Sequence, residues 1–128
     1  MADQPARGEF SFKATAVTII PGQTADSILS QVNFEGPVTP GLGMCFATSI
    51  HDFGGTTKGG IFTLCEKIFA EDGRVINSKG HGILEEIGKH RWRTIGIIMN
   101  LDDGRRFHIE GEMDAGERTW RGTWREIE

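Results

Sequence analysis

The feature that most narrows the possible folds is a period of two that recurs along the whole chain, with no competing helical period. In residues 9–20, Phe10, Phe12, Ala14 and Ala16 alternate with Glu9, Ser11, Lys13 and Thr15. A strand with that pattern buries one face. Strand-like runs follow at 27–35 (Ile28, Val32 and Phe34 on one face), 42–51 (Met44, Phe46, Thr48 and Ile50), 61–70, 74–85, 91–101, 106–113 and 118–126. Turn signals separate them. Pro21-Gly22 ends the first run, Gly36-Pro37 and Pro40-Gly41 enclose a loop, and residues 53–60 are rich in glycine. Asp72-Gly73 and Asp103-Gly104 are hairpin signals, because glycine takes the positive φ that tight hairpin turns require. The one place open to a helical turn is the stretch beginning at Thr24, which can cap it.

Eight short strands with hairpin spacing predict an all-β fold, an eight-stranded antiparallel up-and-down barrel with a small central cavity. Consecutive hairpins are the simplest connection, and closure removes exposed strand edges. The chain holds 18 Gly against 4 Pro, which suits coiled strands and tight turns better than disorder. At 128 residues there is material for one core, so residues 9–128 are read as one domain behind a loose tail, 1–8. A barrel of eight strands is just wide enough to be filled by its own side chains or to hold one small ligand.

Charge and hydropathy narrow the function classes. A net charge of −4 lacks the basic surplus of a nucleic-acid binder. No apolar run approaches the roughly 20 residues of a membrane-spanning helix. The start, Met1-Ala2-Asp3-Gln4-Pro5, lacks the basic-then-apolar pattern of a secretory signal, so a cytoplasmic protein is expected. Cys45 and Cys65 both lie in apolar runs and read as two buried free thiols, ahead of a disulfide or a catalytic thiol.

The strand pattern of residues 9–126 resembles the calycin-type small barrels, a group that includes lipocalins and allene oxide cyclase-like proteins. Gly43-Met44-Cys45-Phe46 leading into a glycine-rich loop, followed by 61–70 and the Asp72-Gly73 hairpin, is similar to the middle of an allene oxide cyclase-like barrel. The lipocalin Gly-x-Trp motif belongs on a first strand, whereas Gly122-Thr123-Trp124 stands on the last, so that motif's role is not carried over. The resemblance implies a one-pocket barrel for small apolar molecules, in some members with cyclase, isomerase or lyase chemistry.

Candidate chemistry centres on Glu66. It shares a strand face with Phe62, Leu64 and Ile68. If that face points inward, desolvation raises its pKa and makes it a general acid or base; if outward, it is a surface carboxylate. Arg93, with Arg91, shares a face with Ile95, Ile97, Met99 and Leu101 and is a candidate for holding an oxygen at the barrel mouth, against the plainer reading of a surface arginine. Asn100 lies on the opposite face of the same strand, the face that also holds Trp92, Thr94, Gly96 and Ile98. His81 stands between Gly80 and Gly82, where a ligand can come close, unless the glycines merely coil the strand. His51 is placed at the barrel rim. With no paired histidine spacing among His51, His81, His90 and His108, no metal site or cofactor is expected. Phe10, Phe12, Met44, Phe46, Phe62, Leu64, Trp92, Phe107, Trp120 and Trp124 are the candidate ligand-lining residues, or else plain core. The glycine-rich loop 53–60 is followed by a strand, which argues against a phosphate cradle; it reads as a hairpin loop or a lid.

Three functions follow. The first is an enzyme without metal or redox cofactor that acts by acid/base chemistry on a small apolar metabolite. The second is a carrier or sensor of such a molecule. The third is a filled barrel that works through its surface. Cavity volume separates the last from the others, since ligand pockets usually exceed about 300 Å³. Because strand six has two fairly apolar faces, a homo-oligomer, dimer or trimer, is the expected partner state.

Overall fold

A computed structural model describes residues 6–54, 56 and 58–127 of the chain. The strands are β1 (Arg7–Pro21), β2 (Ile28–Thr39), β3 (Gly43–Asp52), β4 (Gly59–Ala70), β5 (Val75–Gly88), β6 (Arg91–Asn100), β7 (Arg106–Asp114) and β8 (Thr119–Ile127). Each pairs antiparallel with its neighbour in sequence, and β1 pairs with β8, so the sheet closes into a barrel. Residues 1–5 of the expected tail lie outside the described residues, and β1 already begins at Arg7. Two positions of the 53–60 loop, 55 and 57, also lie outside them.

β2 continues through Gly36-Pro37, where the sequence suggested a loop. A side chain at Gly36 would strike the Ser11 carbonyl and Phe12 of β1, so glycine lets the two strands cross closely there. Pro37 is exposed on the outer face opposite Met44. Residues 24–27 form a hydrogen-bonded turn, with Ser27 N donating to Thr24 O (3.2 Å), and not a helix.

The two Asp-Gly hairpins form as expected, and by the same device. Gly73 and Gly104 adopt positive φ (94° and 73°). In each, the aspartate Oδ1 accepts a hydrogen bond from the backbone N–H two residues on: Arg74 N to Asp72 (3.0 Å) and Arg105 N to Asp103 (2.9 Å).

Half of the interior is solid. Trp120, 1% exposed, is the hub, with the rings of Phe10, Phe12, Phe34 and Phe62 at 5.2, 5.9, 5.4 and 5.8 Å between centroids. Its indole N–H donates to the buried Thr94 hydroxyl at 3.0 Å. Paired glycines on adjacent strands make room for these rings. Gly82 faces Gly96, and a methyl group on either would come within 2.7–2.9 Å of the Phe62 ring. Gly111 faces Gly122 under the ring of Phe10. Beyond this plug the barrel end is closed by Phe53 against Trp92 (5.6 Å) and by buried His51.

The outer surface of β4–β6 carries Ile61, Ile83, Ile97 and Met99, each 43–57% exposed. Ile61, Ile83 and Ile95 lie in one cross-strand row. This is the second apolar face that the sequence of strand six displayed.

Candidate active site

The other half of the barrel is hollow. A cavity of about 480 Å³ runs from the Trp120 plug to the end that carries the β4–β5 and β6–β7 hairpins. That volume lies in the range of small-molecule sites. Phe10, Phe12, Phe107, Trp120 and Trp124 form an aromatic wall. Leu64, Ile68 and Ile98 extend the apolar lining across β4 and β6.

The opposite wall is polar, and strand register assembles it. Glu66 on β4 pairs with Ser78 on β5, and Ser78 pairs with Asn100 on β6. Residues facing each other across a ladder share a face, so all three point inward in one row. The Ser78 hydroxyl donates to Asn100 Oδ1 at 2.9 Å. The Cys45 thiol, diagonal to Glu66 on β3, donates to its Oε2 at 3.5 Å, a weak bond. Among the described residues no partner is found for Glu66 Oε1 or Asn100 Nδ2, and no buried side-chain polar atom is left unsatisfied. Neither atom is therefore fully buried, and both residues line the cavity.

Desolvation dominates the electrostatics. Burial pushes the Glu66 carboxyl up to about 7, with the Cys45 hydrogen bond pulling weakly the other way. Burial first, then the charge and acceptor oxygen of Glu66, push the Cys45 thiol well above the ordinary thiol range, so it stays protonated and remains a donor. Replacing Cys45 by alanine removes that donor, and the Glu66 titration midpoint is expected to rise. Serine, a stronger donor at the same place, is expected to lower it. Titration of the Glu66 carboxyl followed by NMR in both variants checks this, and equal midpoints would refute it.

The mouth is charged but internally paired. Arg105 Nε and Nη2 grip both carboxylate oxygens of Glu126 at 2.8 Å, which raises the guanidinium pKa and lowers that of Glu126. Arg74 pairs with Asp72 at 2.8 Å. Among the described residues no group of three His, Cys, Asp or Glu is placed to hold a metal ion.

Of the residues singled out in the sequence, Glu66, Asn100, Phe10, Phe12, Leu64, Phe107, Trp120 and Trp124 line the cavity. Phe62 and Trp92 point inward but belong to the plugged end. Four candidates are on the outside. Met44 and Phe46 are 44% and 46% exposed, because β3 turns Cys45, Ala47, Ser49 and His51 inward instead. The stronger apolar faces of its neighbours decide this: Phe34 pairs with Ala47, and Ile68 with Cys45. Arg93 is exposed and bound to Glu110 at 3.0 Å. His81 is exposed on the outer row between Thr63 and Ile97. Cys65 is likewise exposed, not buried. His51, expected at the rim, is buried, with Nε2 at 2.9 Å from Ser49 Oγ and its pKa lowered to about 4 by desolvation.

Sequence reading missed Ser78 and Cys45. Ser78 was recoverable by counting, since it lies as far beyond Asp72 in the β4–β5 hairpin as Glu66 lies before it. Compared with family models, curated proteins and solved structures, the chain matches none. The architecture stands on the chain's own geometry: a closed, eight-stranded antiparallel β-barrel, plugged at one end and hollow at the other.

Proposed function

We propose that this barrel is an enzyme, independent of metal and redox cofactor, that encloses a small, largely apolar molecule and moves a proton with Glu66. The chemistry is of the isomerase, cyclase or lyase type, as in some calycin-type barrels. One feature carries the reading: the Glu66 carboxyl lines a cavity walled mainly by aromatic and aliphatic side chains, where burial raises its pKa to about 7. A proton-transfer group is most effective when its pKa lies near the working pH. The aromatic wall holds an apolar body against that group, which supplies orientation.

The second reading is a non-catalytic carrier. It is favoured by the deeper lining, where Glu66 stands alone as an ionisable side chain among aromatic and aliphatic groups; the charged residues cluster at the mouth. Glu66→Gln separates the two. Wild-type and variant protein are incubated with a cell extract of small molecules, and conversion is followed by mass spectrometry alongside native mass spectra of the protein. The enzyme reading expects at least one compound to be consumed by the wild type and about 100-fold more slowly by the variant, the scale at which general acid–base groups act. Undiminished conversion by the variant refutes Glu66 as the proton-transfer group. A ligand retained by both proteins and converted by neither establishes the carrier.

A further inference from the structure

We propose that the molecule taken by the cavity is a carbonyl compound with a C–H bond beside the carbonyl, and that the barrel enolises it, with Glu66 accepting the carbon-bound proton and Asn100 Nδ2 holding the oxygen. This rests on Glu66 being the proton-transfer group and adds the substrate class and the partner group.

Removing a carbon-bound proton leaves an electron pair, which is stabilised only if it can move onto an electronegative atom. A donor must therefore stand near the base and point at that atom. The guanidinium groups stand elsewhere. Arg93 lies outside the barrel in a salt bridge, and Arg105 and Arg74 at the mouth are paired with Glu126 and Asp72. Among the described residues of the inner wall, Asn100 Nδ2 is a donor for which no protein partner is found.

Ser78 holds the amide. The hydroxyl of this buried residue donates to Asn100 Oδ1, which leaves the amide nitrogen out of that contact, and Asn100 lines the cavity. Ser78 is thus a positioning residue. Glu66 and Asn100 flank it on the two neighbouring strands, so their Cα atoms are roughly 10 Å apart around the wall, two interstrand steps. The wall is concave toward the cavity, which brings the two side chains closer together than their Cα atoms. A C–H and a carbonyl oxygen two bonds apart fit between an acceptor and a donor placed in this way. The aromatic wall opposite presses the rest of the molecule against them.

The step balances. The C–H bond breaks and an O–H bond forms at Glu66 Oε1. The C–H electron pair becomes the new C=C bond, and the carbonyl π pair moves to oxygen, which accepts a stronger hydrogen bond from Asn100 Nδ2–H. Return of the proton from Glu66 to the same carbon gives hydrogen exchange. Return to the far carbon of a conjugated system gives isomerisation. Neither outcome needs an oxidant or a reductant.

Exchange is therefore the test, because it does not require the natural substrate. α-Tetralone, an aryl ketone with a CH₂ beside its carbonyl, is incubated with the protein in D₂O. Loss of that proton signal is followed by NMR, and binding is followed by tryptophan fluorescence, with the hydrocarbon tetralin as a shape-matched control. Wild-type protein is expected to accelerate exchange over buffer. Glu66→Gln is expected to lose about 100-fold or more of that rate. Asn100→Ala is expected to lose at least tenfold with α-tetralone binding retained. Ser78→Ala is expected to lose less than Asn100→Ala, to be rescued by Ser78→Thr, and to add nothing in the Ser78→Ala/Asn100→Ala double variant, since Ser78 acts through Asn100. Binding of α-tetralone without exchange overturns the enolisation and leaves the cavity reading standing, as does binding of tetralin alone. Wild-type exchange rates in Asn100→Ala overturn the role of that amide. Failure of both compounds to bind overturns the cavity reading itself.

Discussion

Replacing Trp120 by alanine is expected to lower the stability of the barrel by about 3–5 kcal/mol, the usual cost of deleting a fully buried large aromatic side chain. The residue is 1% exposed and touches four phenylalanine rings from β1, β2 and β4. Its removal therefore unsupports strands on both sides of the closure between β1 and β8. A second cost adds to the first. The Thr94 hydroxyl is fully buried and its partner is the Trp120 indole N–H, so the variant strands a polar group, which costs about 1–3 kcal/mol unless water reaches it. Against a typical total of about 5–15 kcal/mol, the sum is enough to leave much of the protein unfolded. Trp120→Phe separates the parts, since it keeps most of the packing and loses the hydrogen bond. Urea unfolding of the two variants measures both, and a loss below about 1 kcal/mol in Trp120→Ala would show that the plug does not hold the barrel shut.

The plug was the part of the interior least visible in the sequence. Strand alternation gives a face, and Phe10, Phe12, Phe62 and Trp120 sit on faces that are inward. It does not say at what height along the barrel each ring stands. That depends on the stagger between strands, which no single strand encodes. The same limit explains Met44 and Phe46. Taken alone, the Met44–Phe46–Ile50 face of β3 is more apolar than Cys45–Ala47–Ser49, so it is the face an isolated strand would bury. In the barrel, small residues face inward because the volume is already claimed by Trp120 and Phe34, which meet 5.4 Å apart. The strand faces outward with its large side chains because its neighbours dictate the pairing. Arg93 fails for a related reason. Both faces of β6 are apolar enough to be buried, and the choice is made by Gly96, which must face Gly82 to admit the Phe62 ring. Glu66 was legible because its face holds Phe62, Leu64 and Ile68, and no alternative assignment of β4 buries as much.

The pH dependence of stability is expected to carry the signature of two buried groups, Glu66 and His51, that act in opposite directions, and single substitutions to unmask it. The Glu66 carboxyl titrates near 7 in the fold and at its ordinary 4.5 when unfolded. Below 4.5 both states hold the proton and the fold bears no penalty. As pH rises toward 7 the unfolded chain has released the proton while the folded one retains it, so stability falls, by up to about 3 kcal/mol in all, and stays low at higher pH. His51 does the reverse. It titrates near 4 in the fold and at 6.5 when unfolded, so its neutral form bears no penalty above 6.5 and stability falls by a similar amount as pH drops to 4. Between 4.5 and 6.5 the two slopes, each about 1.4 kcal/mol per pH unit, run against each other and leave the wild type nearly level. Glu66→Gln is expected to remove the first slope. Its stability then climbs from pH 4 to 6.5, and at pH 8 it exceeds that of the wild type by up to about 3 kcal/mol. His51→Gln leaves the descending limb from pH 4.5 to 7. Asp72 and Glu126, whose pKa values are lowered by hydrogen bonds from Arg74 and Arg105, change the profile only on the acid side of this window. Denaturant unfolding of the three proteins between pH 4 and 8.5 reads all of this directly. A Glu66→Gln protein no more stable than wild type at pH 8 would mean that the carboxylate is well hydrated in the fold. A hydrated carboxylate would keep its ordinary acidity, and the match between its pKa and a neutral working pH that supports the proton-transfer reading would be lost. A gain in stability would instead mark the residue as one held in an unfavourable place by the needs of the cavity.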